Sequence, residues 1–109
     1  MIRNLNDIIP VVTSHGVGEK RVLLSSEEAG CPLTQIAVTE LKAGEISKAH
    51  VHADMQEGFY VLEGTLEVTL DGASRECHKD DFIFVEHLTS HELRAVTDTK
   101  LLTIGCVIS

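Results

Sequence analysis

The chain has 109 residues, 43% of them hydrophobic, and a formal net charge of −8 at pH 7. That length closes one hydrophobic core without room for a second domain, and the apolar content is too high for a disordered chain. The negative charge, with no basic run to focus a positive patch, argues against nucleic acid and anionic membrane surfaces as partners.

The longest apolar runs, such as 82–85 and 101–102, fall far short of a membrane span. Residues 1–7 carry one cation, an early acid and no uninterrupted apolar stretch, so a cytoplasmic location is expected. Cys31, Cys77 and Cys106 are widely spaced and odd in number. They fit neither a disulfide framework nor a Cys-x-x-Cys site, and are expected as reduced, mostly buried thiols.

Residues 4–9 read as one helical turn or an arm ending at Pro10, because the residue before a proline disfavours helix. A brief strand over 11–13, a loop over 14–18 and a strand over 19–24 follow. His15, within that loop, is far in sequence from the other histidines and is expected to be a loop residue rather than a ligand. The polar stretch 25–32 suits a short helix capped at Ser25 or Ser26. Residues 34–41, rich in Thr, Ile, Val and Leu on both faces, read as a strand covered on both sides.

The next strand runs through His52. His50 and His52 stand two apart, and such residues leave the same face of a strand, so both imidazoles point into one space. Glu57 follows the short loop 53–56, at the start of the apolar run 58–62. An antiparallel return there brings its carboxylate alongside the rings. Gly44 and Gly64 bracket the unit where tight turns need positive φ. The same parity puts Lys48 on the face of His50 and His52, as a candidate for holding a substrate carboxylate or phosphate, and puts Phe59 and Val61 on the pocket face with Glu57.

Residues 65–70 alternate, with Leu66, Val68 and Leu70 on one face. Asp71-Gly72 is a strong hairpin signal that pairs this run with 73–78. A turn over 79–81, a buried strand over 82–85 and a loop over 86–90 then deliver His91. Strands over 92–96 and 101–108, separated by the turn 97–100, complete the chain. No stretch sustains a helical apolar period, and the class is all-β. His78 and His87 lie in or beside turns and are expected to be solvated.

The segment Gly44-x5-His50-x-His52-x4-Glu57-x6-Gly64 resembles the first motif of the cupin superfamily, G-x5-H-x-H-x3,4-E-x6-G, with every fixed position filled. The second cupin motif, G-x5-P-x-G-x2-H-x3-N, is similar to residues 80–95. His91 is retained there, while Asp80, Glu86, Leu88 and Ala95 replace its Gly, Pro, Gly and Asn. The resemblance implies a single-domain, cupin-type double-stranded β-helix, a jelly-roll barrel, with residues 1–32 as arm and outer strands and 33–109 as the core. It also implies a metal held by His50, His52, Glu57 and His91.

Three imidazoles and a carboxylate suit Fe, Mn, Ni, Zn or Cu as a divalent ion without choosing among them. Four protein ligands leave two positions of an octahedral ion open to water or a small-molecule ligand. The expected function is a metal-dependent isomerase or epimerase acting on a sugar, sugar phosphate or keto acid, with Glu57 as a candidate catalytic base. An Fe(II) dioxygenase and a non-catalytic binding or sensing cupin are the alternatives. Three Phe, one Tyr and no Trp favour a small polar substrate over a large planar one. Small cupins commonly pair through the outer sheet or the N-terminal strand, so a homodimer is expected, helped by the apolar stretches 8–9, 11–12 and 22–24.

Overall fold

The computed structural model of the chain describes residues 1–108. Asn4 caps a single 3-10 turn over Leu5–Asp7, its side chain accepting the Asn6 amide at 2.9 Å. Strand β1 is Val11–Val12, and β2 is Glu19–Ser25. Ser25 then caps α1, Ser26–Ala29, through a complete capping box with Glu28, in which each side chain satisfies an amide that the helix start leaves unpaired.

The remaining strands are β3, Leu33–Leu41; β4, Ile46–His50; β5, Met55–Glu63; β6, Thr65–Leu70; β7, Ala73–His78; β8, Phe82–Val85; β9, His91–Ala95; and β10, Thr99–Val107. Among the described residues no helix is long and apolar enough to cross a membrane.

The strands form two antiparallel sheets that face each other, one of six strands in the order β1-β2-β3-β10-β5-β8 and one of four in the order β4-β9-β6-β7. This is a mostly β, single-domain sandwich of two antiparallel sheets, the all-β class that the strand pattern implies. The core lies between the sheets, built from Leu41, Phe59, Val61, Leu66, Val68, Ile83, Val85, Leu93 and Leu101. Fully burying one such side chain contributes about 1.5–3 kcal/mol. Leu66 and Val68 point inward as the alternation in 65–70 requires.

The hairpin between β6 and β7 turns on Asp71 and Gly72, with φ of 47° and 82°, directly after the pair Leu70↔Ala73. Two successive left-handed residues match the right-handed twist of the flanking strands.

Two other left-handed residues bear on the second motif. Asp80 and Leu88 replace glycines of that motif, and both take left-handed backbone, with φ of 75° and 65°. The Leu88 amide donates to the His52 carbonyl at 2.7 Å, which ties the β8–β9 loop to the segment that follows β4.

The thiols depart from expectation. All three cysteines are free, but only Cys77 is buried, whereas Cys31 and Cys106 are exposed. Cys106 lies near the end of β10, where the alternation that buries Thr99, Leu101, Thr103 and Gly105 puts it on the outward side with Ile104.

Candidate metal centre

His50 closes β4, Glu57 sits near the start of β5, and His91 opens β9, so strands from both sheets deliver ligands to one end of the sandwich. His52 follows β4 in the loop that leads to β5. One donor atom from each of these four residues lies within 4.8 Å of every other. His52 Nε2 is 3.2 Å and His91 Nε2 3.5 Å from Glu57 Oε1.

The backbone sets the state of two of these rings. A carbonyl only accepts, so His50 Nδ1 donates to the Lys48 carbonyl at 2.8 Å, and His91 Nδ1 donates to the Thr89 carbonyl at 3.0 Å. Each Nδ1 therefore carries the proton, and in the neutral ring the Nε2 lone pair faces inward. The Nε2 atoms of His50, His52 and His91 are buried and have no hydrogen-bond partner among the described residues. Leaving a buried polar atom unsatisfied costs about 1–3 kcal/mol, so the three together cost on the order of 3–9 kcal/mol. A cation at their common focus removes that cost, and the Nδ1–H to carbonyl bonds are the outer contacts that orient histidine ligands. With its three orphaned nitrogens and one carboxylate, the donor set thus fits a divalent metal.

The charges in the cluster respond to one another. Burial pushes the Glu57 carboxyl up, but the His91 ring facing it and the neighbouring His52 and His50 outweigh this and hold it below the usual range. Burial pushes His91 down, yet Glu57 and the Thr89 carbonyl leave it raised. His50 is lowered, chiefly by burial.

A cavity of about 70 Å³ opens beside the ligands. One water needs about 10–15 Å³ measured this way, so there is room for a metabolite of a few heavy atoms. Phe59 lines it, as the parity of β5 predicts. Val61 lies one step deeper, fully buried in the core, and does not reach the cavity.

Lys48 does not line the cavity and is exposed. The register against β9 jumps from Ser47↔Leu93 to His50↔His91, so β4 carries one extra residue there. This β-bulge breaks the two-residue alternation. It turns Ser47 inward beside His50 and sends Lys48 outward, leaving only its carbonyl to hold the His50 ring.

His15 goes the other way. The β1–β2 loop folds over the ligands and sets its ring 3.9 Å from the His50 ring centroid and 6.2 Å from that of His52. Burial lowers its pKa, Glu57 opposes this, and His52, His91 and Lys20 add smaller lowering effects. The available signal was the pair Gly16 and Gly18, both at φ 75°. Gly18 also packs where a Cβ would lie 2.6 Å from Leu41 Cδ2 and 2.7 Å from the Glu40 carbonyl, so it pins the loop to β3. His78 and His87 are exposed, with His87 Nδ1 3.2 Å from Gln56 Oε1.

The pattern of the family described as the cupin domain matches residues 37–105. A curated relative, polyketide synthase CurC of Streptomyces cyaneus, is 31% identical over 83 residues, 76% of this chain. The chain spans about half, 54%, of that relative's length. Among solved structures, a predicted oxalate decarboxylase from Thermotoga maritima superposes with a TM-score of 0.91 at 23% identity, covering 99% of this chain and 100% of that one. The polyketide cyclase RemF from Streptomyces resistomycificus gives 0.81 at 18% identity, covering 100% of this chain and 80% of that one.

Proposed function

The chain belongs to the cupin domain family, and from that premise we propose that it is a metal-dependent enzyme acting on a small oxygenated metabolite by isomerisation or epimerisation. The observation that carries this reading is the convergence of three buried, unpartnered imidazole nitrogens and one carboxylate beside a small cavity. His50, His52, Glu57 and His91 would hold a divalent transition metal, which when bound supplies Lewis acidity towards a carbonyl or hydroxyl oxygen.

The chain's own residues do the rest. The Lys48 and Thr89 carbonyls keep His50 and His91 in the tautomer that presents Nε2 inward. Glu57, held ionised in a buried setting, is the lining carboxylate able to take a proton, through the oxygen that a metal would leave free. His15 and its loop cover the ligands and restrict water at the mouth. Thr39 and Thr103, whose hydroxyls lie 3.1 Å apart, offer hydrogen bonds to substrate oxygens on the wall formed by β3 and β10.

The cavity's size and its single aromatic wall, Phe59, support a small polar substrate over a polycyclic polyketide. A homodimer is part of the same proposal. It is supported by the exposed apolar surface of Val11 and Val12 on edge strand β1 and of Phe82 and Phe84 on edge strand β8.

The test is a screen of small aldoses, ketoses, sugar phosphates and keto acids with metal-loaded protein, under air and under nitrogen. Isomer formation that is equal in both atmospheres and abolished in Glu57→Gln is expected. Oxygen uptake coupled to substrate loss would replace the isomerase reading with a dioxygenase.

A further inference from the structure

We infer that Lys20 is the anion-recognition residue of this cavity, and that the substrate is a small oxyanion, a carboxylate or phosphate monoester, bearing an adjacent carbonyl or hydroxyl. This rests on the metal-dependent reading above and names the substrate class of the same site.

Lys20 pairs with Thr39 across β2 and β3, and like Thr39 it faces the cavity. Its ammonium donates to Gln35 Oε1 at 2.9 Å, and among the described residues that neutral oxygen is its hydrogen-bond partner. No carboxylate of the described residues lies within ion-pair distance of it, unlike Arg3, Arg21, Arg94 and Lys100, which all face a glutamate. Lys20 is half-buried. An ammonium drawn out of water with one of three donors used is costly unless an anion completes it.

Gln35 is well suited to hold that ammonium without neutralising it, because an amide oxygen fixes its position and leaves its charge in place. The location also fits. Lys20 lines the same cavity as His15, whose ring centroid lies 3.9 Å from that of His50, and as the ligands His50, Glu57 and His91. The cavity therefore has the ligand cluster on one side and a fixed cation on another, and a chelating substrate with an anionic head spans the two.

The protein's overall charge makes such a residue necessary. A chain of net charge −8 repels small anions at long range. Inside the cavity Glu57 is the single carboxylate among the lining residues, and a divalent ion together with Lys20 outweighs it. Lys48, which the strand parity assigns to this task, is outside.

The experiment is an NMR titration of Zn(II)-loaded, 15N-labelled protein with glycolate, glycolaldehyde phosphate and the neutral glycolamide, for wild type, Lys20→Met and Lys20→Arg. Zinc content measured beforehand tests the metal reading separately. Lys20→Met is expected to weaken at least one of the two anions tenfold or more, to leave glycolamide within twofold and to keep full zinc content. Lys20→Arg is expected to hold the anion within about threefold, which shows that charge rather than folding is read. Whichever anion suffers the loss distinguishes a carboxylate from a phosphate head. Equal weakening of all three ligands in Lys20→Met, or no weakening of either anion, overturns the proposal. Should wild type bind no zinc, the metal reading fails, and the same titration on metal-free protein decides the role of Lys20.

Discussion

Replacing Glu57 with Gln separates a site built for a cation from one built for its own hydrogen bonds, because the two readings give changes of opposite sign. In the metal-free protein the tautomer set by the Thr89 carbonyl turns the His91 Nε2 lone pair towards a carboxylate that only accepts, 3.5 Å from Oε1, and His52 Nε2 lies 3.2 Å from the same oxygen. An amide in the same place donates to one or both.

Each net hydrogen bond is worth about 0.5–1.5 kcal/mol, so Glu57→Gln should stabilise the metal-free fold by about 1–2 kcal/mol. For a domain of this size that is a rise in Tm of roughly 4–10 °C. The same change removes the anionic ligand oxygen and should weaken Zn(II) at least tenfold, about 1.4 kcal/mol. Scanning calorimetry with and without chelator, and calorimetric zinc titration, read both on one preparation. A metal-free Tm that is unchanged or lowered, with zinc affinity intact, would refute the reasoning.

Three further outcomes follow from the geometry. Gly72→Val should cost about 1–2 kcal/mol, from left-handed strain alone, since among the described residues no atom lies within 4 Å of a Cβ there. Gly64→Ala should cost about 3 kcal/mol or more, because its Cβ would also overlap the Asp98 carbonyl, and urea melts of the two variants should rank them in that order. Leu88→Gly should gain about 0.5–1 kcal/mol by relieving the φ of 65° at an exposed side chain, after the added entropy of glycine, and a lowered urea midpoint would contradict this. The metal-free protein should be most stable near the unfolded imidazole value of 6.5. His50 has a lowered folded pKa, so stability rises with pH up to that point; His91 has a raised one, so its contribution is complete below 6.5 and is lost as pH climbs through its folded value. Thermal melts of His91→Ala should lack the alkaline decline, and its persistence would assign that limb to another group.

The sequence was most informative where local chemistry and tertiary geometry coincide. The alternation from Leu66 to Leu70, the Asp71-Gly72 turn and the Ser25 cap each act within a few residues, so each could be read directly. His50, His52, Glu57 and His91 were legible through motif spacing, and the structure brings all four together. Lys48 was misplaced because a period-two argument assumes an unbroken ladder, and the extra residue between Ser47 and His50 reverses the face. His15 and Lys20 were hidden for a different reason. They reach the cavity through the pairing of β2 with β3 and the fold of the β1–β2 loop, and neither has a local signature apart from the glycines at 16 and 18. Asp80 and Leu88 take left-handed backbone without being glycine, held by amide hydrogen bonds to the Val61 and His52 carbonyls that lie far away in sequence.

Metal content tests the central claim most directly. Wild type, His50→Ala and His91→Ala would each be stripped with chelator, reloaded with Zn(II), desalted and assayed by elemental analysis, with circular dichroism to verify the fold. About one ion per chain is expected in wild type, with a large loss in both variants while the β signature remains. Folded wild type that retains no metal, or variants that retain as much as wild type, would contradict it.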